Sequence, residues 1–445
     1  MPDCARALPQ GTLSFMRETF RTRSARAAGP LALALVLQPT LAMAQNAATE
    51  RPDAAVQSGQ MRVSLDDALR EAHRAAPDLV VARARESVAR AEVGIAGVYP
   101  NPSLIGATST QYALVSGGVS IPLVVLGQRG AAIEAAEAEE VTVASDTRVS
   151  WNDVRQATVL AYVALWQNEG FASARSEAAA LEAALESLVV ERVEVGSAPE
   201  LDAIRVHAER LRADADAVEA TARIAAAGSR LGGWMGMRDG AGLRASAGAF
   251  VPDALPPLPA LLARLDTSAP VQREGSDVRA SQARAARERA LVRPTMVLDV
   301  GFDAFDQTVP HSAGTEPPVN YRAQLAIDVP LFNQRGPYVE REQARGEVAR
   351  ARMQAVRTQA AAELAAAYRT FEAASARERT LSEGVVPAAR EAANATKDAY
   401  VVGRAQLVAV LDAQRVLIEA RVAVLEAQAA RANAWADIEH ALGAP

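Results

Sequence analysis

The stretch Tyr400-Val-Val-Gly-Arg-Ala-Gln-Leu-Val-Ala-Val-Leu-Asp-Ala-Gln-Arg-Val-Leu-Ile-Glu-Ala-Arg-Val-Ala-Val-Leu425 decides the fold. Val410, Leu417 and Val424 recur every seven residues, and Leu411, Ile418 and Leu425 repeat the spacing one position on. Two adjacent heptad series make one apolar seam on a helix, as in a coiled coil. Upstream, Gly336 to Tyr400 is dominated by Ala, Glu, Arg, Leu and Gln, which are strong helix formers. The pattern pauses at Val402-Gly403-Arg404 and resumes at Leu407, so the region reads as a helical hairpin turning at Gly403. At 1.5 Å per residue, 337–400 would span roughly 96 Å, which no ordinary compact domain accommodates. Pro387 lies inside the run and should kink it or mark an irregular turn.

Working outward, residues 130–195 form a second helical run of similar length, ended by Val195-Gly196-Ser197-Ala-Pro199. A run from Glu200 to Leu231 follows, with Ile204, Leu211 and Val218 at heptad spacing. Near the start, Ser64-Leu-Asp-Asp67 caps a short helix through Ala75. Pro77 interrupts it, Asp78 to Gly97 resumes it, and Tyr99-Pro-Asn-Pro102 stops it.

Between these helices the period changes to two. Val115, Val119, Ile121 and Leu123 fall on one face, with Ser116, Gly118 and Ser120 on the other. Residues 103–112 alternate more weakly and read as the hairpin partner. In the second half Met296, Leu298, Val300 and Phe302 alternate with Val297, Asp299, Gly301 and Asp303. Tyr321, Ala323, Leu325, Ile327 and Val329 alternate with Arg322, Gln324, Ala326 and Asp328.

The halves repeat each other. Ala76-Pro77 answers Ala269-Pro270, Ile121-Pro-Leu…Gln128-Arg-Gly130 answers Val329-Pro-Leu…Gln334-Arg-Gly336, and Val195-Gly196 answers Val402-Gly403. The expected organisation is an export signal over 1–44, an N-terminal extension over 45–63 and a first repeat over 64–236. That repeat holds a β-hairpin at about 103–123 and a helical tip at 195–199. A linker over 237–259 leads to a second repeat over 260–445, with a hairpin at about 295–331 and a tip at 400–406. The fold class is mainly α with a small β part and an internal two-fold repeat.

The signal reading rests on Arg17, Arg21, Arg23 and Arg26 ahead of the apolar run Pro30 to Leu37, closed by Ala42-Met-Ala44. A buried helix is the alternative. The sole cysteine, Cys4, falls in this segment without a lipid-attachment pattern, so neither thiol chemistry nor an acyl anchor is expected of the remainder. Beyond residue 44 the chain carries a formal charge of −9, with Lys397 its one lysine. Without a basic patch interleaved with aromatics, nucleic acid is not an expected partner.

His73, His207, His311 and His440 stand apart without ligand spacing, so neither metal site nor cofactor is expected. Gly232-Gly233 lacks the lysine of a phosphate loop. No nucleophile or acid–base pair stands out, and the chain does not read as an enzyme.

Four strands with one apolar face cannot close a barrel, and open edges are not tolerated in lipid. Bacterial barrels begin at about eight strands, so several chains would have to contribute to one. Asp299, Asp303, Arg322, Gln324 and Asp328 would then line water, with the aliphatic face toward lipid. A β-sandwich edge facing a soluble core is the alternative. In the first repeat, Asp78–Gly97 and Glu200–Leu231 together come close to the length of one long helix, so stacked end to end beside it they read as one strip of a tube.

With these residues in view, the chain resembles the TolC-type outer-membrane efflux family, in its CzcC-like branch, from about Ser64 to Gly443. The motifs that carry the resemblance are Tyr99-Pro-Asn-Pro102, Asp328-Val-Pro-Leu-Phe-Asn-Gln-Arg-Gly336, and Tyr400-Val-Val-Gly403 through Leu407 to Arg415. The resemblance implies a homotrimer with a twelve-stranded barrel in outer-membrane lipid and a helical tunnel across the periplasm. It also implies docking to a periplasmic adaptor and an inner-membrane efflux pump, most readily of the RND type. The function implied is passive export of small molecules or metal cations. A periplasmic coiled-coil adaptor or structural protein, or the outer-membrane duct of a type I protein secretion system, stays open beside it.

The tips at Val195, Gly196 and Ser197, and at Val402, Gly403 and Arg404, are the expected docking points. The family's gate carries over in part. Its acid after the first tip matches Asp202 and its tyrosine before the second matches Tyr400. The arginine expected after the second tip glycine falls on Ala405, with Arg404 one residue earlier. Of two tunnel aspartates one remains, Asp412; the other position is Ala409. A solvated helix face near a turn accounts equally well for Asp202 and Asp412.

Overall fold

Helices of exceptional length carry the chain in the computed structural model, which describes residues 61–109, 113–246, 251–306 and 319–443. The proposed signal with Cys4, and the hairpin loop that holds His311, lie outside the described residues. Ser64 caps α1 (Leu65–Ala75), its hydroxyl accepting from the Asp67 amide. Pro77 opens α2 (Pro77–Ala96) at the first helical turn, where its missing N–H costs nothing. The first long helix, α3, runs Gln128–Glu194, 67 residues and about 100 Å. Helix α4 (Glu200–Trp234) returns along it.

In the second half α5 (Leu258–Leu262) and α6 (Ala269–Ala290) precede the strands, and α7 (Gly336–Thr380) follows them. Five residues of π-helix, Leu381–Val385, then join α7 to α8 (Val386–Val401). Their position follows from Pro387, which cannot donate to the Glu383 carbonyl one turn back, so the ladder widens just before it. Helix α9 (Leu407–Leu442) closes the hairpin.

Among the described residues the strands make two sheets. In the smaller, β1 (Met61–Val63) pairs in parallel with β4 (Leu243–Ala245). Strand β4 and helix α5 fall in or across the segment expected to be irregular, residues 237–259. The larger is antiparallel, in the order β2 (Ser103–Ala107), β3 (Ala113–Leu123), β5 (Thr295–Asp306), β6 (Asn320–Asp328). Its register places Leu123, Met296 and Ile327 in one row, Ile121, Leu298 and Leu325 in the next, and Val119, Val300 and Ala323 in a third. Ser120, Asp299 and Gln324 share a row on the opposite face, where Arg322 pairs with Asp303 at 3.2 Å. The alternation therefore resolves into one apolar and one polar face. The apolar face lies open, with Leu104 87 % and Tyr321 88 % exposed. Strands β2 and β6 are its edges.

Buried side chains concentrate where the short elements meet the long helices. Tyr162 of α3 packs with Leu165, Leu231 and Leu243, and donates its hydroxyl to the carbonyls of Ser246 (2.8 Å) and Val63 (3.3 Å), tying the small sheet to α3. Leu364 and Phe371 of α7 form the matching core with Leu261, Leu265 and Ile438. Nearer the larger sheet, Glu342 is only 2 % exposed and takes Arg284 of α6 (3.1 Å) with Arg341 and Arg345 of α7 (2.9 and 2.8 Å). Burial alone would push its carboxyl up, but the three guanidinium groups hold it below the usual range. Elsewhere the helix contacts are narrow. Ala389, Ala393, Leu417 and Ala420 make the α8–α9 seam, where small side chains let the backbones approach.

Candidate functional site

Two helix–helix turns form the first part of the site. At the end of α3, Gly196 has φ 70°, and the amides of Ser197 and Ala198 both return to the Arg192 carbonyl at 2.8 and 3.2 Å. At the end of α8, Gly403 has φ 75°, and the amides of Arg404 and Ala405 return to Ala399 at 2.8 and 3.2 Å. These are the same left-handed C-terminal cap built twice, and the left-handed residue is where glycine is favoured. Val195 and Val402 stand exposed at the two turns, joined by Leu201, Ile204, Val401 and Val408.

The turns are fastened to each other by a residue that sequence reasoning missed. Arg192 donates Nη1 to the Tyr400 carbonyl and Nη2 to the Ser197 carbonyl (3.3 Å), while its guanidinium carbon lies 4.5 Å from the centre of the Tyr400 ring. It bonds both tips at once. Tyr400 itself is 3 % exposed, packed with Leu185, Val189, Val206, Leu407 and Val410. Its hydroxyl is buried without a hydrogen-bond partner. Burial pushes that hydroxyl's pKa up, Arg192 opposes the shift, and the charge of Asp202 adds to it. Asp202 and Tyr400 thus sit within electrostatic reach without a bond between them. Asp412 is exposed on α9, with Arg415 3.8 Å away.

Above the tips a cavity of about 230 Å³ opens between α3, α4 and α9. Glu182, Glu209, Arg175, Arg212 and Arg415 are among its walls. One Glu182 oxygen is buried there without a hydrogen bond. Burial pushes the Glu182 carboxyl up, Glu209 adds to the effect, and Arg415 opposes it. Among the described residues no cluster of three His, Cys, Asp or Glu side chains could hold a metal ion, and no helix is long and apolar enough to cross a membrane. The second statement leaves the sheet untouched, since strands span lipid by other rules.

The second part of the site is that sheet, whose apolar face and open edges lie next to helices of about 100 Å. Comparisons with known proteins agree with this pairing of elements. Residues 268–444 match the family model described as outer membrane efflux protein. The cobalt-zinc-cadmium resistance protein CzcC of Cupriavidus metallidurans is 26% identical over 357 residues, covering 78% of this chain and 82% of CzcC. A membrane protein from Pseudomonas aeruginosa shares the fold with TM-score 0.70 and 18% identity, over 86% of this chain and 91% of that one. The outer membrane protein VceC from Vibrio cholerae does so with TM-score 0.66 and 19% identity, over 85% and 96%. With that match, that relative and the sheet–helix architecture in hand, residues 268–444 form a domain of the outer membrane efflux protein family, and the chain lies in the outer membrane, extending into the periplasm.

Proposed function

We propose that the chain is the outer-membrane channel of a tripartite efflux system, conducting cargo passively from an inner-membrane pump to the exterior. The observation that carries this reading is the four-stranded sheet, with one open apolar face and two unpaired edges. Three copies joined edge to edge, β6 to β2, would close twelve strands, remove every edge and turn the apolar face to lipid. Asp299, Asp303, Arg322, Gln324 and Asp328 would then line a watery pore. The helices support the same assembly. On α4, Ile204, Leu211 and Val218 are exposed at heptad spacing, and on α2 Val81, Val88 and Ile95 are exposed at the same spacing. Neighbouring copies would cover both stripes. On this reading residues 64–236 and 260–445 are two copies of one unit and build a tunnel wall of even height.

The exposed tip residues Val195, Gly196, Ser197, Val402, Gly403 and Arg404 point to a contact with a periplasmic adaptor, which links the channel to a pump of the RND type. Asp202, Tyr400 and Asp412 are assigned to the tunnel end, Asp412 as one carboxylate of a ring of three that favours cations. No chemical step is required of the protein. The cargo is small molecules or metal cations; similarity to CzcC, named for cobalt, zinc and cadmium resistance, favours the cations.

The test is fractionation followed by reconstitution. Trimers that resist heat and need detergent for release from outer membrane, and that conduct in planar bilayers, would support the channel. Recovery in the soluble periplasm would sink it and favour a coiled-coil adaptor or spacer. In the same bilayers Asp412→Ala should weaken cation selectivity. Unchanged selectivity would place the constriction elsewhere. Loss of metal tolerance on gene deletion, with drug tolerance and protein secretion intact, would select the cation cargo.

A further inference from the structure

We propose that the π-helical turn Leu381–Val385 is the positioning element of the second tip: it absorbs one residue that the second copy carries in excess, and so keeps Tyr400 level and in phase with Arg192. This rests on the two-copy reading of the chain. Gly130 and Gly336 are counterparts there, as are Gly196 and Gly403. Yet Gly130 and Gly196 lie 66 positions apart, and Gly336 and Gly403 lie 67 apart. In an unbroken α-helix one extra residue turns everything beyond it by about 100° and carries it about 1.5 Å further along the axis. A tip displaced in that way would take the Tyr400 carbonyl and ring off the guanidinium that holds both. Helix α3 runs its whole length without a break, whereas the second copy is interrupted by five π-helical residues. A single π-turn widens the ladder by one residue, which is the excess to be taken up.

Burial locates where the excess enters. Above the turn the copies align at a spacing of 206: Val154, Thr158 and Leu165 of α3 are buried, and so are Ala360, Leu364 and Phe371 of α7. Below it the spacing is 207. The buried residues of α8 are Ala389, Ala393 and Tyr400, and 207 positions back stand Glu182, Glu186 and Val193. Glu182 lines the cavity shared with α4 and α9, Glu186 meets His207 and Arg210 of α4 (both 2.6 Å), and Val193 packs against the Tyr400 core. At a spacing of 206 the same three would fall opposite Ala183, Ser187 and Glu194, all exposed. The spacing therefore changes between Phe371 and Ala389, the interval that holds the π-turn. Its residues account for the exact place. Pro387 cannot donate to the Glu383 carbonyl, none of the five side chains is buried, and nothing stands within 4 Å of a Cβ added at Gly384. A widened turn there displaces no packing. The two tips are the proposed adaptor contact, so the turn decides whether they meet a partner as one surface.

The test changes the length of the turn and reads the phase of α8 against α9. Ala389 and Ala420 belong to one packed cluster across the seam. In a full-length Cys4→Ser chain, Ala389→Cys with Ala420→Cys should be bridged by a short bifunctional thiosulfonate, while Ala388→Cys or Arg390→Cys with Ala420→Cys should not. Deleting Gly384, with Pro387→Ala so that the closed α-helix meets no ring, removes the excess and should leave the bridge at Ala389. Duplicating Gly384 adds a residue that one π-turn cannot hold, so the bridge should pass to Ala388. Pro387→Ala at full length should keep the bridge, because the excess residue still has to be absorbed, and it serves where the deletion fails to fold. Movement of the bridge to Arg390 on deletion, or its loss in Pro387→Ala, would overturn the proposal, since α8 would then take its phase from chain length. A bridge that stays at Ala389 after the duplication would make the segment a slack linker, and would overturn it too. Export by the duplicated channel should be lost, and this arm alone rests on the adaptor reading. Intact export with the bridge displaced would overturn that reading and leave the positioning standing.

Discussion

Arg192→Ala should loosen the two tips from each other, and the size of the effect can be worked from its contacts. The arginine donates to the Tyr400 carbonyl of one tip and the Ser197 carbonyl of the other, and covers the Tyr400 ring at 4.5 Å. A hydrogen bond from a charged donor contributes about 1.5–3 kcal/mol. The site is half-buried and the Ser197 contact is long, so only one bond is counted, at the lower end. The cation–ring contact adds about 0.5–1 kcal/mol at such a site. The sum is about 2–2.5 kcal/mol per copy, or roughly 30- to 70-fold in the population with joined tips. Arg192→Lys keeps the charge but loses the fork that reaches both carbonyls, and should recover less than half. Thermal unfolding in detergent, followed by circular dichroism, reads the stability, and single-channel conductance reads the opening. An Arg192→Ala channel with the parent's melting temperature and conductance would refute the reasoning. Lowered stability with unchanged conductance would leave Arg192 as a fastener that does not limit flow.

The Glu182 carboxyl is held above its ordinary value in the fold, so stability is lost as pH rises from the unfolded-state pKa through the folded one; Glu182→Gln should therefore melt higher than the parent at neutral pH, with the gap closing in acid, and equal melting at neutral pH would count against a buried charge there. Leu325 shares a row with Leu298 on the apolar face, so Leu325→Arg should cost about 2–4 kcal/mol in barrel assembly near the bilayer midplane, whereas Gln324→Lys should assemble normally; equal yields of the two in membrane extracts would reverse the assigned faces. Replacing Gly196 and Gly403 by Trp imposes left-handed strain of about 1–2 kcal/mol per site, and no neighbour lies within 4 Å of a Cβ added at Gly196; trimers should survive while export falls, and undiminished export would move the adaptor contact away from the tips.

What the sequence made legible is what periodicity encodes. Seven-residue spacing announced α9, the turn signal Val195-Gly196-Ser197-Ala-Pro199 announced the end of α3, and alternation assigned Leu298, Leu325 and Met296 to one face before their pairing was known. Pro387 forecast an irregular turn, and the π-helical residues Leu381–Val385 end just before it. The three-residue strands β1 and β4 were not legible. They are too short to show a period, and they exist because Tyr162, 99 residues from Val63, and Leu231 pack against them. Ser64 and Asp67 could be read as a cap because all partners lie within one turn.

The contacts that couple distant segments obey no local rule, and the tips show why this matters for function. Arg192 looks in sequence like any arginine of a solvated helix face, and its bond to Tyr400 spans 208 positions. Glu342 sits among Arg341, Arg345 and Arg350 in a run that reads as fully hydrated, yet it is buried because α6 brings Arg284 against it. In both cases one residue answers to two helices, and only topology supplies the second. Between these fastened ends the α8–α9 seam is built of Ala389, Ala393, Leu417 and Ala420. Small apolar contacts are individually weak and nearly interchangeable along a helix, so that seam resists relative sliding far less than a polar clamp with fixed partners. The polar fastenings flank that seam, Arg192 below and the Glu378–Arg431 pair (2.9 Å) above. On the channel reading, a tip that separates and rejoins would have to break the Arg192 cluster and also expose the packing of Tyr400 with Leu185, Val206, Leu407 and Val410.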